Sequence, residues 1–146
     1  MSPPYRSMSR GMNKKLIMKI NTIHHIAIIC SDYERSKKFY TETLGFPVIS
    51  EHFRADRDSY KLDLAVGDRY QIELFSFPEA PERLSYPEAR GLRHLAFAVN
   101  DLDEAVLQLN GKGVVTESIR EDELTGKRFT FFSDPDGLPL ELYEDS

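Results

Sequence analysis

Two histidines and two glutamates occupy matching places in the two halves of this 146-residue chain. His25 opens the segment HIAIIC, His94 opens HLAFAV, and an aspartate follows each histidine after seven residues. Glu73 lies 48 residues after His25 in QIELF, and Glu141 lies 47 residues after His94 in PLELY. Imidazole nitrogens and carboxylate oxygens suit Zn²⁺, Ni²⁺, Co²⁺, Fe²⁺ or Mn²⁺. The repeat predicts one metal site to which each half contributes a histidine and a glutamate.

The charge of the two glutamates favours the same interpretation. Each one stands between two large apolar residues, and side chains alternate between the two faces of a strand. The apolar neighbours then pack inward while the histidine and glutamate of each half share the other face. An ionised carboxylate in a poorly solvated place is costly, and two together are worse. A divalent cation with two neutral imidazoles and two carboxylates has no net charge.

A structural role is the competing interpretation for each of these four residues taken singly. A histidine at a strand start is commonly structural, and a glutamate between apolar residues can lie on a solvated face. The duplication favours the metal site, because four ligand-type residues recur in register. His24 and His52 have no counterpart in the other half, and we expect them to be ordinary surface or supporting residues.

The elements around these residues also repeat, as β-α-β-β-β. A helical pattern follows each aspartate; Ser31 or Asp32 can cap the first helix, and Asn100 or Asp101 the second. Strand-like segments complete each half: PVISEHF, SYKLDLAV and YQIELFSF in the first, and VVTESIR, RFTFFS and LPLELYE in the second. The pattern predicts an α+β fold.

The domain organisation follows from this repeat. Residues 1–18 are basic and lack a signal-peptide core, so a disordered tail is expected there. Residues 19–144 are expected to form one domain, with module one at 22–77, a proline-containing linker at 78–90 and module two at 91–144.

Composition excludes several classes of function. The net charge of −5 gives no attraction to nucleic acid or to an anionic membrane, and no apolar run is long enough to span a bilayer. The single cysteine, Cys30, cannot form an intrachain disulfide, and a cytoplasmic location is the expectation. A small molecule is the expected binding partner.

The chain from about residue 20 to residue 144 resembles the vicinal oxygen chelate superfamily, which includes glyoxalase I, fosfomycin-resistance thiol transferases, extradiol dioxygenases and methylmalonyl-CoA epimerase. Within it, the sequence is similar to small bacterial glyoxalase I-like proteins of the YaeR type. The segments that carry the resemblance are HHIAIICSDYERSKKFYTETLGF, QIELFSF, GLRHLAFAVNDLDEA and FFSDPDGLPLELYE.

The resemblance implies two βαβββ modules in a pseudo-twofold arrangement whose curved sheet forms a metal-containing cleft. It implies His25, Glu73, His94 and Glu141 as ligands of one divalent metal, with Ni, Zn or Co favoured over Fe or Mn. A ligand set of two histidines and two glutamates is similar to that of bacterial glyoxalase I, whereas the transferases and dioxygenases use two histidines and one glutamate. By the same resemblance Glu141 is the expected catalytic base, Glu73 helps reprotonate an enediolate, and a homodimer is expected. Members of the family pair their modules either within one chain or across a dimer, and the sequence leaves both arrangements open.

One departure puts the substrate in question. In glutathione-using glyoxalases, an arginine four residues after the first ligand and an asparagine four residues after the second help bind the γ-glutamyl end of the substrate. This chain has the apolar residues Ile29 and Phe77 at these positions, and neither can make that contact. The expected reaction is a lyase or isomerase step on a 2-oxoaldehyde–thiol adduct or a related vicinal-oxygen substrate. Four cationic residues near the pocket strands either meet an anionic substrate or lie on a solvated rim: Lys61, Arg69, Arg93 and Arg128.

Two alternatives remain open. A non-catalytic protein of the same fold would sequester an apolar ligand against Phe75, Phe77 and Tyr143. A metal-dependent thiol transferase of the fosfomycin-resistance type is the other, and the additional carboxylate of Glu73 speaks against it.

Overall fold

The computed structural model describes residues 17–68 and 70–145. Most of the predicted tail at 1–18 therefore lies outside the described residues, as does Arg69. The longest helix of the described part has ten residues, and none there has the length and apolar character needed to cross a membrane.

Module one forms a four-stranded mixed sheet with one short helix. Its elements are β1 (His25–Cys30), α1 (Tyr33–Lys38), a π-helical turn (Phe39–Thr43), β2 (Val48–Arg54), a 3-10 turn (Ala55–Arg57), β3 (Ser59–Val66) and β4 (Tyr70–Ser76). The strand order is β1-β4-β3-β2, with β1 parallel to β4. Asp32 is the N-cap of α1, and its side chain accepts a hydrogen bond from the backbone N–H of Arg35 at 3.1 Å.

Module two repeats this topology, but its edge strand is shorter than β2 of module one. Its elements are β5 (Leu95–Val99), α2 (Leu102–Gly111), β6 (Arg120–Glu121), β7 (Arg128–Ser133) and β8 (Pro139–Glu144), in the order β5-β8-β7-β6. Asp101 caps α2 as Asp32 caps α1. The predicted pair of βαβββ modules and the α+β class are thus confirmed. The segment VVTESIR becomes a strand only at its end, and the eight strands form two separate sheets.

The alternation expected from the sequence decides which face of each sheet is buried. In β1, Ile28 and Cys30 are buried while Ala27 and Ile29 are exposed. In β8, Leu140 and Leu142 are buried on the opposite side from Glu141. The buried faces of both sheets and the apolar sides of both helices share one core. The other face of each sheet, which we call the open face, carries the histidine–glutamate pair.

The two modules contact each other through their helical side. Tyr40, fully buried in the π-helical turn, donates a hydrogen bond from its hydroxyl to Asp134 Oδ2 at 2.7 Å. Burial raises the pKa of this phenol well above its ordinary value, so it remains a donor. The rings of Phe39 and Phe132 lie 6.4 Å apart beside this bond. The contact between modules therefore leaves the open faces free.

Removal of the buried hydroxyl tests how strongly this contact holds the modules. We expect Tyr40→Phe to lower the free energy of unfolding by about 1–3 kcal/mol, because Asp134 loses a buried donor. Tyr60→Phe is the matched control, since Tyr60 is 37% exposed and its hydroxyl makes no hydrogen bond among the described residues; its effect should stay below about 0.5 kcal/mol. Urea unfolding measures both, and equal effects would contradict the assignment.

Candidate metal centre

The first histidine–glutamate pair lies at the start of β1 and the middle of β4. The parallel register places Ala27 opposite Glu73 and His25 opposite Gln71. Because Ala27 has only a methyl group, the imidazole of His25 reaches across to the carboxylate, and its Nδ1 lies 3.6 Å from Glu73 Oε2. The His25 side chain is 40% exposed and that of Glu73 only 12%. The pair thus presents an accessible nitrogen above a recessed carboxylate.

The second pair repeats this arrangement in module two. His94 immediately precedes β5, and the register places Ala96 opposite Glu141. The Nε2 atom of His94 lies 3.2 Å from Glu141 Oε1, with side-chain exposures of 31% and 12%. A small residue again stands where a larger one would separate the two ligands. The structure therefore brings together one histidine and one glutamate in each half of the chain.

The spacing within each pair fits a shared metal ion. Two ligand atoms at about 2.1 Å from one ion lie roughly 3.0–3.4 Å apart in tetrahedral or octahedral geometry. The distance in the second pair falls within that range and the distance in the first is slightly longer. Across residues 17–68 and 70–145, no three His, Cys, Asp or Glu side chains are grouped closely enough to hold a metal. One chain thus forms two half-sites.

The carboxylate of module one has polar surroundings. Asp63 on β3 lies opposite Glu73 in the sheet. The ammonium group of Lys61 lies 2.8 Å from Asp63 Oδ1 and 3.7 Å from Glu73 Oε2. Burial tends to raise the pKa of Asp63, but hydrogen bonds from Lys61 and Ser50 outweigh it and lower the pKa below its ordinary value. Lys61 therefore already provides positive charge for both carboxylates.

Sequence reasoning missed Asp63, although a signal was present. Asp63 stands between Leu62 and Leu64, which are fully buried, as Glu73 stands between apolar residues in QIELF. The same argument that singled out Glu73 applies to it. Only the register of β3 against β4 shows that the two acids are neighbours on one face.

The carboxylate of module two has aromatic surroundings instead. Phe131 on β7 lies opposite Glu141, at the place that Asp63 has in module one. The edge of one ring faces the other in the pair His94–Phe131, with centroids 5.1 Å apart. The guanidinium of Arg120 lies over Phe129 and Phe131, at 5.1 and 5.7 Å from their ring centres. The two half-sites therefore have the same candidate ligands, but polar side chains surround the first and aromatic rings surround the second.

Three of the four cationic residues that the sequence placed near the pocket strands lie among the described residues, each in a different environment. Arg128 bonds to Asp103 and Glu144, and the bonds to these carboxylates raise its pKa, so it is a structural ion pair rather than a pocket residue. Lys61 lies on the open face of module one, and Arg93 lines a recess beside His94.

Two other residues lie beside the first pair or below it. His24, expected as a surface or supporting residue, contacts the first pair, because its Nδ1 lies 2.9 Å from Nδ1 of His25. Cys30 points into the core, and burial raises the pKa of its thiol to about 11. Burial and the raised pKa both disfavour the reactive thiolate form of Cys30.

Comparison with known proteins identifies relatives that match nearly the whole described chain. The chain is 66% identical over 127 residues to the uncharacterized protein YwkD of Bacillus subtilis, covering 87% of this chain and 99% of that one. It is 59% identical over 128 residues to the uncharacterized protein YaeR of Escherichia coli, covering 88% and 99%. The structure of a glyoxalase family protein from Enterococcus faecalis matches with a TM-score of 0.81 and 50% identity, covering 87% of this chain and all of that one.

More distant relatives have named enzymatic activities. The metallothiol transferase FosB of Staphylococcus saprophyticus is 28% identical, over 85% of this chain and 77% of that one. Glyoxylase I 4 of Arabidopsis thaliana is 25% identical, over 86% and 71%. The family model of the Glyoxalase/Bleomycin resistance protein/Dioxygenase superfamily matches residues 22–142. The chain, with its two βαβββ modules, therefore belongs to this superfamily.

Proposed function

We propose that this protein is a divalent-metal-dependent lyase or isomerase of the glyoxalase I type. Its substrate would be a small 2-oxoaldehyde–thiol adduct or a related compound with two neighbouring oxygens. The observation that carries the proposal is the pair of matched half-sites, in which a histidine nitrogen lies 3.6 or 3.2 Å from a recessed glutamate oxygen. A divalent metal there would polarise the substrate oxygens and stabilise the negative charge of an enediolate.

The complete site in this proposal forms between two copies of the chain. His25 and Glu73 of one copy would meet His94 and Glu141 of the other, so that four ligands surround one ion. Two features support this arrangement: the half-sites stay separate within one chain, and the modules use their helical side to contact each other. A twofold dimer of this kind would contain two equivalent sites.

Glu141 is the better candidate for moving the proton. Lys61 lies 3.7 Å from Glu73, and Gln71 donates to the same carboxylate at 3.4 Å. Among the described residues, no lysine or arginine lies within ion-pair distance of Glu141. Glu141 is therefore less restrained by neighbours and can take a proton from the carbon next to the substrate carbonyl. Glu73 would return a proton from the opposite wall.

A ligand-sequestering protein is the second candidate, and the position of Lys61 favours it. Because Lys61 already offsets part of the negative charge of Asp63 and Glu73, the open face of module one depends less on a metal. The stacked rings of Phe75 and Phe77, 5.9 Å apart, offer an aromatic surface nearby, over which the guanidinium of Arg54 lies. The two functions differ in metal uptake, which the lyase or isomerase requires and the sequestering protein does not.

Metal content of the purified protein is the first test. We expect one divalent ion per chain in protein prepared without chelator, and affinity weaker by about tenfold or more in His94→Ala, because an imidazole ligand is lost. His52→Ala is the control, since it also removes an imidazole but His52 lies on β2 opposite Lys61, outside both pairs. Elemental analysis and metal titration measure both variants. A metal-free wild type that takes up none on titration would favour sequestration.

Mixing two inactive variants tests whether the site forms between copies. His25→Ala and His94→Ala should each bind metal poorly alone. Refolding them together produces mixed dimers in which one site has lost both histidines and the other has all four ligands. Half of the dimers are then mixed, and about one quarter of the wild-type sites return. No recovery would show that the ligands come from a single chain.

Replacement of Glu141 tests its role as the base. Glu141→Gln should reduce the turnover of hemithioacetals formed from methylglyoxal and several thiols by about a hundredfold or more, because the amide cannot accept the proton. Glu34→Gln is the control, because Glu34 is exposed on the opposite side of the first sheet. Metal content is measured in parallel, and full turnover in Glu141→Gln would exclude it as the base.

A further inference from the structure

A recess lies directly beside the His94–Glu141 pair. It forms where the segment 83–93, which leads into β5, passes over the open face of module two. His94 and Phe131 line it on the side of the sheet, and its volume is about 150 Å³. This is about five times the volume of one water molecule in the liquid. The recess can therefore hold one small polar group of a molecule that is bound at the pair.

The recess carries an excess of positive charge. Arg83, Arg93 and Arg120 line it, against only Glu88 and Glu117. Arg83 donates its hydrogen bonds to a serine hydroxyl and to two backbone carbonyl oxygens, none of which carries a charge. Arg120 has one carboxylate partner, Glu117 at 3.1 Å, and Arg93 and Glu88 are in no ion pair among the described residues. An anionic group entering the recess would meet guanidinium groups that are mostly uncompensated.

Arg120 is held in a defined orientation for such a group. Its guanidinium lies over Phe129 and Phe131, and stacking on aromatic rings leaves the N–H edges of a guanidinium available for hydrogen bonds. One of these N–H groups bonds to Glu117, and the described residues provide no partner for the others. Phe131 also contacts the ring of His94. Phe131 therefore contacts both the guanidinium of Arg120 and the imidazole of His94, a candidate metal ligand.

We propose that this recess is an oxyanion subsite that binds a carboxylate or phosphate group of the substrate through Arg120 and Arg93. The role as a substrate subsite rests on the proposed function, whereas the oxyanion binding itself does not. The substrate class then becomes a small compound with two neighbouring oxygens and a negatively charged end. This assignment agrees with the apolar Ile29 and Phe77 at the positions where glutathione-using relatives recognise their thiol.

Anion binding to the metal-free full-length protein tests the subsite. Propionate and inorganic phosphate are titrated separately while NMR shifts of the His94 and Phe131 region are followed. We expect saturable binding that weakens by about tenfold in Arg120→Gln and also weakens in Arg93→Gln, because charge-assisted hydrogen bonds are lost. Lys38→Gln removes the same charge from the exposed face of α1, away from the recess, and should bind as the wild type does. The tighter of the two anions identifies the chemical group.

The outcomes separate this proposal from the proposed function. Binding that depends on Arg120 in a protein that takes up no metal would support the subsite and contradict the metal-dependent reaction. Metal uptake without binding of either anion would overturn the subsite and leave the reaction in place. Equal weakening in Arg120→Gln and Lys38→Gln would also overturn it, because only the net charge would then matter.

Discussion

The organisation of this protein depends on the charge of two recessed glutamates. Glu73 and Glu141 are each only 12% exposed at the side chain, and both stand between apolar residues that belong to the core. A carboxylate in such a place is stabilised by a nearby cation or a polar partner. The two modules provide this stabilisation differently. Lys61 approaches Glu73, whereas Glu141 has His94 beside it and a wall of aromatic rings.

This difference shows how a duplicated fold can place the same two residue types in unlike surroundings. Topology, helix caps and ligand positions recur in both modules, so that either half alone presents the same two donor groups. The strand next to the glutamate does not recur in the same way, because it carries Asp63 in one module and Phe131 in the other. A substrate held between two such walls would meet a polar surface on one side and an aromatic, cationic surface on the other. Asymmetry of that kind orients a small molecule with respect to two equivalent carboxylates.

The contact between the modules explains why the half-sites stay apart. The buried bond from Tyr40 to Asp134 and the nearby aromatic contacts join the modules through their helical side. The same contact does not involve the open face of either sheet, where the small residues Ala27, Ala96 and Ala98 are exposed; only segment 83–93 passes over part of the open face of module two. In the proposed dimer a second copy of the chain would pack against these faces.

The sequence alone determined the repeat, the α+β class, the capping aspartates and the pairing of each histidine with its glutamate. These follow from short-range periodicity and from residues that recur at equal spacing, which one chain displays directly. Only the tertiary structure decided that Asp63 and Lys61 surround Glu73, that Arg120 lies over the rings beside His94, and that Arg128 turns to the ion pair with Asp103 and Glu144. It also decided that the two half-sites do not meet within one chain. Strand register and the packing of one module on the other set these contacts, and neither is encoded in the spacing of residues along the chain.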